Sequence, residues 1–278
     1  MPNSATLISI VTFIYGLAFV CYLAAWIFKK SLPGRLGTGV MIAAAVGNTV
    51  GFVLRWTESY QMGYGYAPLS NLYESLVFFS LAVAGIYLFM EFKYKVRTIG
   101  VFASLFAFLA IAYASLPSME SEIQPLIPAL QSNWLIAHVI TCFLGYAAFA
   151  IACGISIMYL LKSTAGPEST SGPIARIPGL EILDDLTHQM ITFGFLFLSI
   201  GIITGAIWAE QAWGRYWGWD PKETWSLITW LIYATLLHAR LMRGWTGRRI
   251  AYLSCVGFAA VLFTYFGVNL LPGLHSYM

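Results

Sequence analysis

The chain has 278 residues, of which 59% are hydrophobic and only 10% are charged, and its mean hydropathy is +0.74. A water-soluble domain does not carry so little charge with so much apolar surface, so the composition predicts an integral membrane protein. The net charge is only +3, and no basic cluster has the size or aromatic interleaving of a nucleic-acid site, which excludes nucleic acid as a partner.

Apolar segments of membrane-spanning length recur along the chain. A helix needs about 20 mainly apolar residues to cross the hydrocarbon core. Eight segments meet this requirement, and they lie near residues 7–28, 38–54, 72–90, 98–116, 134–161, 190–209, 225–242 and 250–271. We therefore expect an all-α, polytopic membrane protein, with eight transmembrane helices in one bundle and a single integral-membrane domain over residues 1–278. The first segment does not resemble a cleaved signal peptide, because its basic residues follow the apolar run.

The basic residues indicate the orientation of the bundle. When the connections are assigned alternately to the two sides, three basic residues fall on one side, namely Arg55, Arg215 and Lys222. The other twelve fall together: Lys29, Lys30, Arg35, Lys93, Lys95, Arg97, Lys162, Arg176, Arg240, Arg243, Arg248 and Arg249. The positive-inside rule places these twelve in the cytoplasm or its organellar equivalent, and both termini outside.

Two connections and one glycine pattern stand out. Residues 163–181 are rich in Gly, Pro, Ser and Thr, which predicts a flexible cytoplasmic linker. Within residues 117–133, Ile123, Leu126, Ile127 and Leu130 have helical spacing despite the two prolines between them, which predicts an amphipathic segment on the membrane surface or on a partner. In the sixth span, Gly194, Gly201 and Gly205 recur on one helical stripe and predict close helix packing. The four cysteines lie inside predicted spans without C-x-x-C spacing and are interpreted as buried apolar side chains.

A tryptophan-rich external loop occupies residues 210–224. The stretch WGRYWGWDPKETWSLITW at 213–230 contains five tryptophans. Asp220 is a predicted N-cap, Pro221 suits the first helical position, and Glu223 is three residues beyond the cap, as in a capping box. The same pattern predicts that Asn71 caps the third span and that Glu74 reaches back. Ordinary anchoring of tryptophans at the membrane interface is the simpler alternative for the aromatic residues.

Two histidines lie on the same side of the membrane as this loop. His138 lies near the outer end of the fifth span, and His275 follows the eighth span. Paired imidazoles are axial ligands of haem iron, and a porphyrin with two propionates requires aromatic walls and cations. Trp213, Trp217, Trp219 and Trp225 are candidate walls, and Arg215 or Lys222 could hold the propionates. Gly145, seven residues beyond His138, is expected to leave room for a flat ring.

The other two histidines lie near the cytoplasmic ends of their spans. His238 is seventeen residues beyond Pro221, about 25 Å along a helix. His188 precedes the sixth span and lies beside Asp184 and Asp185, so we interpret it as a solvated or hydrogen-bonded residue. An ionisable residue inside the membrane is costly unless it is paired, ligated or hydrated, which makes His238 a candidate functional residue.

The stretch WGRYWGWDPKETWSLITW closely resembles the tryptophan-rich WWD signature of haem-handling membrane proteins of cytochrome c assembly. Eight spans, with one external histidine before this loop and another after the last span, resemble the CcsA-type subunit of the System II cytochrome c synthase. YAPLSNLYESL and LHARLMRG are similar to further segments of that family. The resemblance implies that His138 and His275 are axial ligands of an external haem b, and that Trp213, Trp217, Trp219 and Asp220 form its platform.

The resemblance also implies an inner haem site and several partners. His238 matches the family's transmembrane histidine, whose partner ligand comes from a CcsB (ResB-like) membrane subunit, with His188 as the alternative ligand. The implied activity is that of a holocytochrome c synthase subunit of the haem lyase type. It presents haem at the outer face for thioether attachment to apocytochrome c C-x-x-C-H motifs, and none of its side chains acts as a nucleophile. A thioredoxin-like thiol reductant is a further expected partner.

The implied location is the bacterial cytoplasmic membrane or the plastid thylakoid membrane. Three other functions remain open at this point. A diheme b-type electron carrier would also place histidine pairs at both faces. A haem exporter like that of System I belongs to the same broader family but would have fewer spans and deliver haem to a chaperone. A non-haem transporter would need helix breaks at the membrane midplane.

Overall fold

The computed structural model describes residues 3–116, 121–165 and 172–271, and within these ranges the chain forms helices and loops without β-strands. The described residues form nine α-helices: α1 Ser4–Phe28, α2 Ser31–Gln61, α3 Leu72–Tyr94, α4 Gly100–Ala114, α5 Asn133–Thr164, α6 Gly172–Ala175, α7 Leu180–Trp213, α8 Pro221–Arg243 and α9 Arg248–Tyr265. Short 3-10 turns occupy Arg97–Ile99, Pro128–Leu130 and Gly267–Leu270. The linker predicted over residues 163–181 comprises the end of α5, α6 and the start of α7, apart from residues 166–171, which lie outside the described ranges.

Six helical segments in the described part of the chain are long and apolar enough to cross a membrane. They are Ser4–Phe28, Ser31–Gln61, Leu72–Tyr94, Arg97–Ala114, Asn133–Thr164 and Leu180–Trp213. The prediction of an all-helical, multi-pass membrane protein is therefore confirmed. The seventh and eighth predicted segments also lie in helices, α8 and α9. Both helices are more polar, because α8 carries His238 and Arg240 and α9 begins with two arginines, so the count of eight spans stays a prediction.

The first compact unit of the fold contains α1–α4 and α6. Within it α1 packs along α2 and α4, and α3 packs against α4. Glycines bring α2 close to α1, since a Cβ added at Gly47 or Gly51 would lie 2.9 Å from a side-chain carbon of α1. The buried Asn48 amide donates to the Ser80 hydroxyl at 2.8 Å and to the Val77 carbonyl at 3.2 Å, which links α2 to α3.

A buried ion pair fixes one end of this unit. Arg55 Nε lies 2.8 Å from Glu74 Oε1, and the two side chains are only 3% and 0% exposed. The predicted cap is confirmed, because Asn71 Oδ1 accepts the Glu74 backbone N–H at 2.9 Å. The reciprocal bond differs from the prediction: Glu74 Oε2 accepts the backbone N–H of Ser70 at 2.9 Å rather than that of Asn71. Glu74 therefore links the start of α3 to α2.

The same arginine fastens the segment that precedes α5. Arg55 donates to the Ser121 carbonyl at 2.7 Å, and the Tyr66 hydroxyl donates to the Gln124 carbonyl at 2.7 Å. Residues 121–132 form a single 3-10 turn at Pro128–Leu130, so their apolar spacing does not produce an α-helix. Two prolines remove the N–H groups that such a helix would need. Residues 117–120 of the predicted amphipathic segment lie outside the described ranges.

The second compact unit contains α5, α7, α8 and α9. Its largest interface joins α5 and α7, which run antiparallel, since Ser132 at the start of α5 donates to Gln211 near the end of α7 at 2.8 Å. The predicted glycine stripe forms this interface. A Cβ at Gly194 would lie 2.6 Å from the Phe149 ring, and one at Gly201 would lie 2.5 Å from Cys142 Sγ. Any residue larger than glycine at positions 194 and 201 would therefore hold α7 farther from α5.

The buried ion pair provides a test of the first unit. Replacing Glu74 by alanine leaves the Arg55 charge buried without its carboxylate, which we expect to destabilise the fold by about 3–5 kcal/mol. The change is measured as a lower midpoint of unfolding in detergent. The matched control is Arg35→Ala, which removes an exposed cation from the same helix α2 and should leave the midpoint almost unchanged. Equal midpoints for Glu74→Ala and the wild type would contradict this account.

Candidate functional site

The imidazole of His138 is held by the backbone of the neighbouring helix. His138 is the sixth residue of α5, and its Nδ1 lies 2.7 Å from the carbonyl oxygen of Gly201 on α7. A carbonyl oxygen can only accept a hydrogen bond, so Nδ1 carries the proton and Nε2 carries the lone pair. Metal-ligating histidines commonly donate their second ring N–H to a carbonyl, which fixes both tautomer and ring orientation. The orientation of His138 is compatible with the ligand role expected from the sequence, which stays a prediction.

The surface of α7 is shaped around this ring. A Cβ added at Gly205 would lie 2.6 Å from His138 Nδ1 and 2.7 Å from Cε1, so only a glycine leaves space for the imidazole. Trp208 stacks near the ring, with centroids 6.1 Å apart and planes 18° apart. Trp208 also contacts Trp213 edge-to-face at 4.9 Å. A continuous series of aromatic rings therefore joins His138 to the beginning of the tryptophan-rich loop.

Trp208 is a candidate functional residue that the sequence analysis missed. It is 3% exposed and lies between His138 and Trp213. Its signal was present in the sequence, since Trp208 continues the stripe of Gly201 and Gly205 by three residues on the same face of α7.

The expectation for Gly145 is wrong. A Cβ at this position would lie 3.0 Å from the Gly194 carbonyl oxygen and 3.1 Å from the Leu198 backbone nitrogen. The absence of a side chain therefore permits close contact between α5 and α7 and leaves no room for a flat ring. Helical spacing correctly placed Gly145 below His138, but α7 fills the space in front of it.

Hydrogen bonds fix the backbone of the tryptophan-rich loop at both ends. Residues 210–213 belong to α7 and residues 221–224 to α8, so the part outside the helices begins at Gly214, which ends α7 in the left-handed conformation (φ 72°) and donates to the Glu210 carbonyl at 2.8 Å. The predicted capping box at its end is confirmed: Asp220 Oδ1 accepts the Lys222 N–H at 3.0 Å, and Glu223 Oε2 accepts the Asp220 N–H at 3.2 Å. Glu223 Oε2 also accepts the Gly218 N–H at 2.7 Å, which ties the middle of the loop to the first turn of α8.

Two tryptophans in the loop occupy unfavourable environments. Trp219 has a left-handed backbone (φ 57°) and a side chain that is 69% exposed. Trp217 packs edge-to-face against Trp219 at 5.8 Å, and its indole N–H is buried without a hydrogen-bond partner. A left-handed tryptophan and an unsatisfied donor each cost free energy, and such costs concentrate at functional sites. These features favour a binding surface over simple anchoring of the loop.

The remaining predicted loop residues are also placed in the second unit. Trp225 packs on Phe263 of α9 at 4.1 Å, and its carbonyl accepts the Thr264 hydroxyl at 3.2 Å. The exposed Arg215 lies over Gly218, where an added Cβ would be 2.7 Å from the guanidinium carbon. Lys222 is half-buried in the first turn of α8. Both cations lie within seven residues of one another, and the Lys222 side chain interacts electrostatically with Asp220, the N-cap of α8.

The two inner histidines lie far along their helices from the loop. His238 is exposed on α8, about 25 Å beyond Pro221. His188 is half-buried near the start of α7, and its Nδ1 is buried without a hydrogen bond, so the predicted hydrogen-bonded role does not hold for this atom. The neighbouring aspartates pair with Arg240 instead: its guanidinium nitrogens lie 2.6 Å from an Asp184 carboxylate oxygen and 3.7 Å from an Asp185 carboxylate oxygen.

His275 lies beyond residue 271, outside the described part of the chain, so its pairing with His138 stays a prediction. The other residues predicted for the external site, together with Trp208, all lie in the compact unit of α5, α7, α8 and α9. They occupy the start of α5, the end of α7, the loop and the start of α8.

Comparison with known proteins identifies the class. The family model described as "Cytochrome C assembly protein" matches residues 69–275. The cytochrome c biogenesis protein CcsA of Guillardia theta is 41% identical over 283 residues, covering 94% of this chain and 92% of that protein. CcsA of Gloeobacter violaceus is 37% identical and covers 99% of this chain and 98% of that protein.

A solved structure shares the fold. The cytochrome c haem lyase CcmF superposes with a TM-score of 0.73 at 16% identity, covering 96% of this chain and 47% of that chain. The membrane-spanning helices, the glycine-packed helix pair and the matching family model define a multi-pass membrane protein of cytochrome c assembly. The chain belongs to the CcsA family of cytochrome c biogenesis proteins, which confirms the family expected from its sequence.

The contact between Gly205 and His138 gives a direct test of the site. Gly205→Ala places a methyl group where the imidazole lies, so we expect the ring to move and haem bound to the purified protein to fall at least about tenfold. The measurement is the pyridine haemochrome absorbance per protein. The control is Gly85→Ala on α3, where an added Cβ meets nothing within 4 Å, and it should retain the wild-type haem content. Full haem content in Gly205→Ala would show that the position of His138 is unimportant.

Proposed function

We propose that this protein is the haem-handling subunit of a cytochrome c synthase, which presents haem b at the outer membrane face for attachment to apocytochrome c. Membership of the CcsA family supports a role in cytochrome c maturation. One observation carries the specific proposal: the Gly201 carbonyl orients the His138 ring, and Trp208 and Trp213 connect that ring to a hydrogen-bonded loop that exposes Trp219. Haem is the substrate of this reaction, delivered to the partner rather than retained.

The residues of the outer site fit a porphyrin by type and by environment. His138 supplies an imidazole whose Nε2 lone pair is set by the Nδ1–H···O bond, and His275 is the proposed second axial ligand. Trp213, Trp217 and Trp219 offer aromatic surface, and Arg215 and Lys222 offer positive charge for propionates. Asp220 keeps the loop in place through its helix cap, and Trp225 anchors the start of α8 on α9.

The protein acts mainly by positioning. Each cysteine thiol of a C-x-x-C-H segment adds across one haem vinyl group, forming a C–S bond while the thiol hydrogen goes to the other vinyl carbon, without net oxidation. Holding the two reactants in register removes an entropic barrier of several kcal/mol. The rigid loop supports this role, because Glu223 fixes its backbone at two amides and Asp220 caps the next helix. No side chain of the site is required as a nucleophile.

We further propose that eight helices cross the membrane, with both termini and the tryptophan-rich loop on the periplasmic or lumenal side. The twelve-to-three asymmetry of basic residues between the two sides supports this orientation. The membrane is then the bacterial cytoplasmic membrane or the plastid thylakoid membrane. Partners are apocytochrome c, a thioredoxin-like reductant that keeps its cysteines reduced, and a CcsB (ResB-like) membrane subunit.

The environment of His238 supports an inner site shared with that subunit. The His238 side chain is exposed on α8, so a ligand from a second protein can approach it through the membrane. His188 is the alternative second ligand, and its unpaired, buried Nδ1 is compatible with that role. A diheme electron carrier does not need an exposed tryptophan in a strained backbone, and for this reason we favour haem delivery.

The external ligands are tested by maturation of a reporter. His138→Ala and His275→Ala should each reduce covalent haem on a co-expressed c-type cytochrome to below about 5% of wild type, because one axial bond is lost. The measurement is haem staining of the cytochrome after denaturing electrophoresis. The control is Thr141→Ala, one turn from His138. The Thr141 hydroxyl donates to the carbonyls of Ala137 and His138, both within α5. Normal maturation in both histidine variants would refute the proposal.

The inner site is tested by haem content with and without the partner. We expect His238→Ala to lower the haem that copurifies with the complex, while His188→Ala leaves it unchanged when the CcsB-like subunit is present. The physical reason is that an exposed imidazole requires a ligand from outside the chain. A loss in His188→Ala equal to that in His238→Ala would instead make His188 the second ligand.

A further inference from the structure

A basic cavity lies in the first compact unit, in a part of the chain that the proposed haem sites do not use. Its volume is about 720 Å³, which falls within the range of small-molecule pockets. It is formed where α1 ends and α2 begins, beside the 3-10 turn before α4 and the short helix α6. Four cations line it: Lys29, Lys30, Arg97 and Arg176.

The walls of this cavity are held together by specific bonds. The indole N–H of Trp26 donates to the Pro173 carbonyl at 2.9 Å. Arg176 donates to the carbonyls of Trp26, at 2.8 Å, and of Ile27, both in the last turn of α1. Helix α6 is therefore fastened to the end of α1, and the cavity is a built feature of the unit.

The charge in the cavity is unbalanced. No acidic residue is found among the described residues that line it. Glu91 lies behind the wall and accepts Arg97 Nε at 3.1 Å, but it is 3% exposed and also accepts the hydroxyls of Tyr22 and Thr38. Glu91 therefore offsets Arg97, while Lys29, Lys30 and Arg176 form no salt bridge with a described residue. The lining keeps a net positive charge, which attracts an anion.

Uncharged donors point to the same kind of ligand. The hydroxyl oxygen of Thr98, which lines the cavity, is buried without a hydrogen-bond partner. Helix α2 starts at Ser31, also in the lining, and its N-cap residue Lys30 supplies no side-chain bond to the first turn. The N–H groups of that turn, which Pro33 lacks, receive no side-chain cap from Lys30, and the positive end of the helix dipole adds to the field.

The surroundings indicate that the anion carries an apolar tail. Large apolar side chains flank the cavity on the outer surfaces of two membrane-spanning helices, with exposures between 42% and 67%: Ile27, Phe28, Leu32 and Leu36. Basic pockets between transmembrane helices on the cytoplasmic side bind the headgroups of anionic lipids. A soluble phosphate would use the cations but not this apolar surface.

We propose that the cavity binds the phosphate headgroup of an anionic phospholipid, whose acyl chains lie along the exposed apolar side chains of α1 and α2. The four cations and the first turn of α2 hold the phosphate, and Trp26 forms the aromatic wall. The site ties one lipid molecule to the junction of α1, α2 and α6.

The test compares two matched pairs of lysines in the full-length protein. Lys29→Gln with Lys30→Gln removes two cations from the cavity. Lys93→Gln with Lys95→Gln removes two cations at the end of α3, outside the cavity lining. The pairs are matched in conformation, because Lys29 and Lys95 are both left-handed C-caps with φ of 55° and 58°. Binding of dioleoylphosphatidylglycerol is measured by native mass spectrometry in detergent, with dioleoylphosphatidylcholine as the neutral lipid.

The expected result is phosphatidylglycerol binding about 30-fold weaker in the cavity pair, from about fivefold per cation, and nearly unchanged in the α3 pair. If the two lysine pairs lose phosphatidylglycerol binding equally, general surface charge explains the loss and the proposal is overturned. So would equal binding of the neutral lipid. Inorganic phosphate is added as a competitor. If it displaces phosphatidylglycerol only at a much higher concentration, the result supports a lipid ligand. If phosphate and phosphatidylglycerol bind with equal affinity, the assignment of a lipid is overturned.

A third variant keeps every charge. Ser31→Trp adds a large side chain at the exposed rim of the cavity. We expect it to weaken phosphatidylglycerol binding at least about fivefold, because the headgroup loses its space. Its circular dichroism and gel-filtration profile should match the wild type, which separates blocking from unfolding. Undiminished binding in a folded Ser31→Trp protein would place the lipid elsewhere.

Discussion

The hydrogen bond from His138 to the Gly201 carbonyl is the interaction on which the candidate site depends. It forms only because α5 and α7 lie in near contact, and that contact requires glycine at four positions along the two helices. A helix carbonyl normally bonds within its own helix, so a side chain from a neighbour must come very close to share it. The packing of the pair thus fixes the tautomer and direction of one imidazole. The orientation of a side chain near the helix ends therefore depends on glycines farther along the two helices.

Buried polar groups serve a different purpose in the first unit. Arg55 with Glu74 joins α2 to α3, and Glu91 gathers hydroxyls and a guanidinium from several elements. In an apolar surrounding such groups contribute little net stability, but they penalise any arrangement that leaves one of them unpaired. They therefore specify which helices meet at each end. The second unit also contains an ion pair, between Arg240 and Asp184, but its largest interface depends on small residues, and rings stack within it, such as Phe149 on Tyr233 at 3.5 Å.

Local rules made much of the fold predictable. The eight apolar segments correspond to helices, and the capping box at Asp220 formed with the residues expected, because capping depends on neighbours three residues apart. The position of Gly145 on its helix was also correct. Its role was not predictable, because helical spacing gives a direction but does not reveal which helix lies there. The spacing also placed Trp208 on the stripe of Gly201 and Gly205, but it did not show that His138 lies opposite that stripe.

Other features depend on contacts distant in sequence. Glu74 bonds to Ser70 and Arg55 because α2 lies beside the start of α3, and spacing alone does not contain that information. The apolar pattern before α5 was overridden by two prolines and by the bonds from Arg55 and Tyr66. The residue type of His138 suggested a ligand from sequence, but the carbonyl that orients it came from a residue 63 positions away.

Glu223 serves the loop and the helix at once, since one carboxylate oxygen accepts amides from Gly218 and Asp220. The stretch between these positions consequently has a fixed length: an inserted or deleted residue would separate the acid from one amide and unwind the start of α8. Residues 214–217 carry no such constraint from Glu223. Among homologues, insertions and deletions in this loop should therefore occur before Gly218, while the number of residues from Gly218 to Glu223 stays the same.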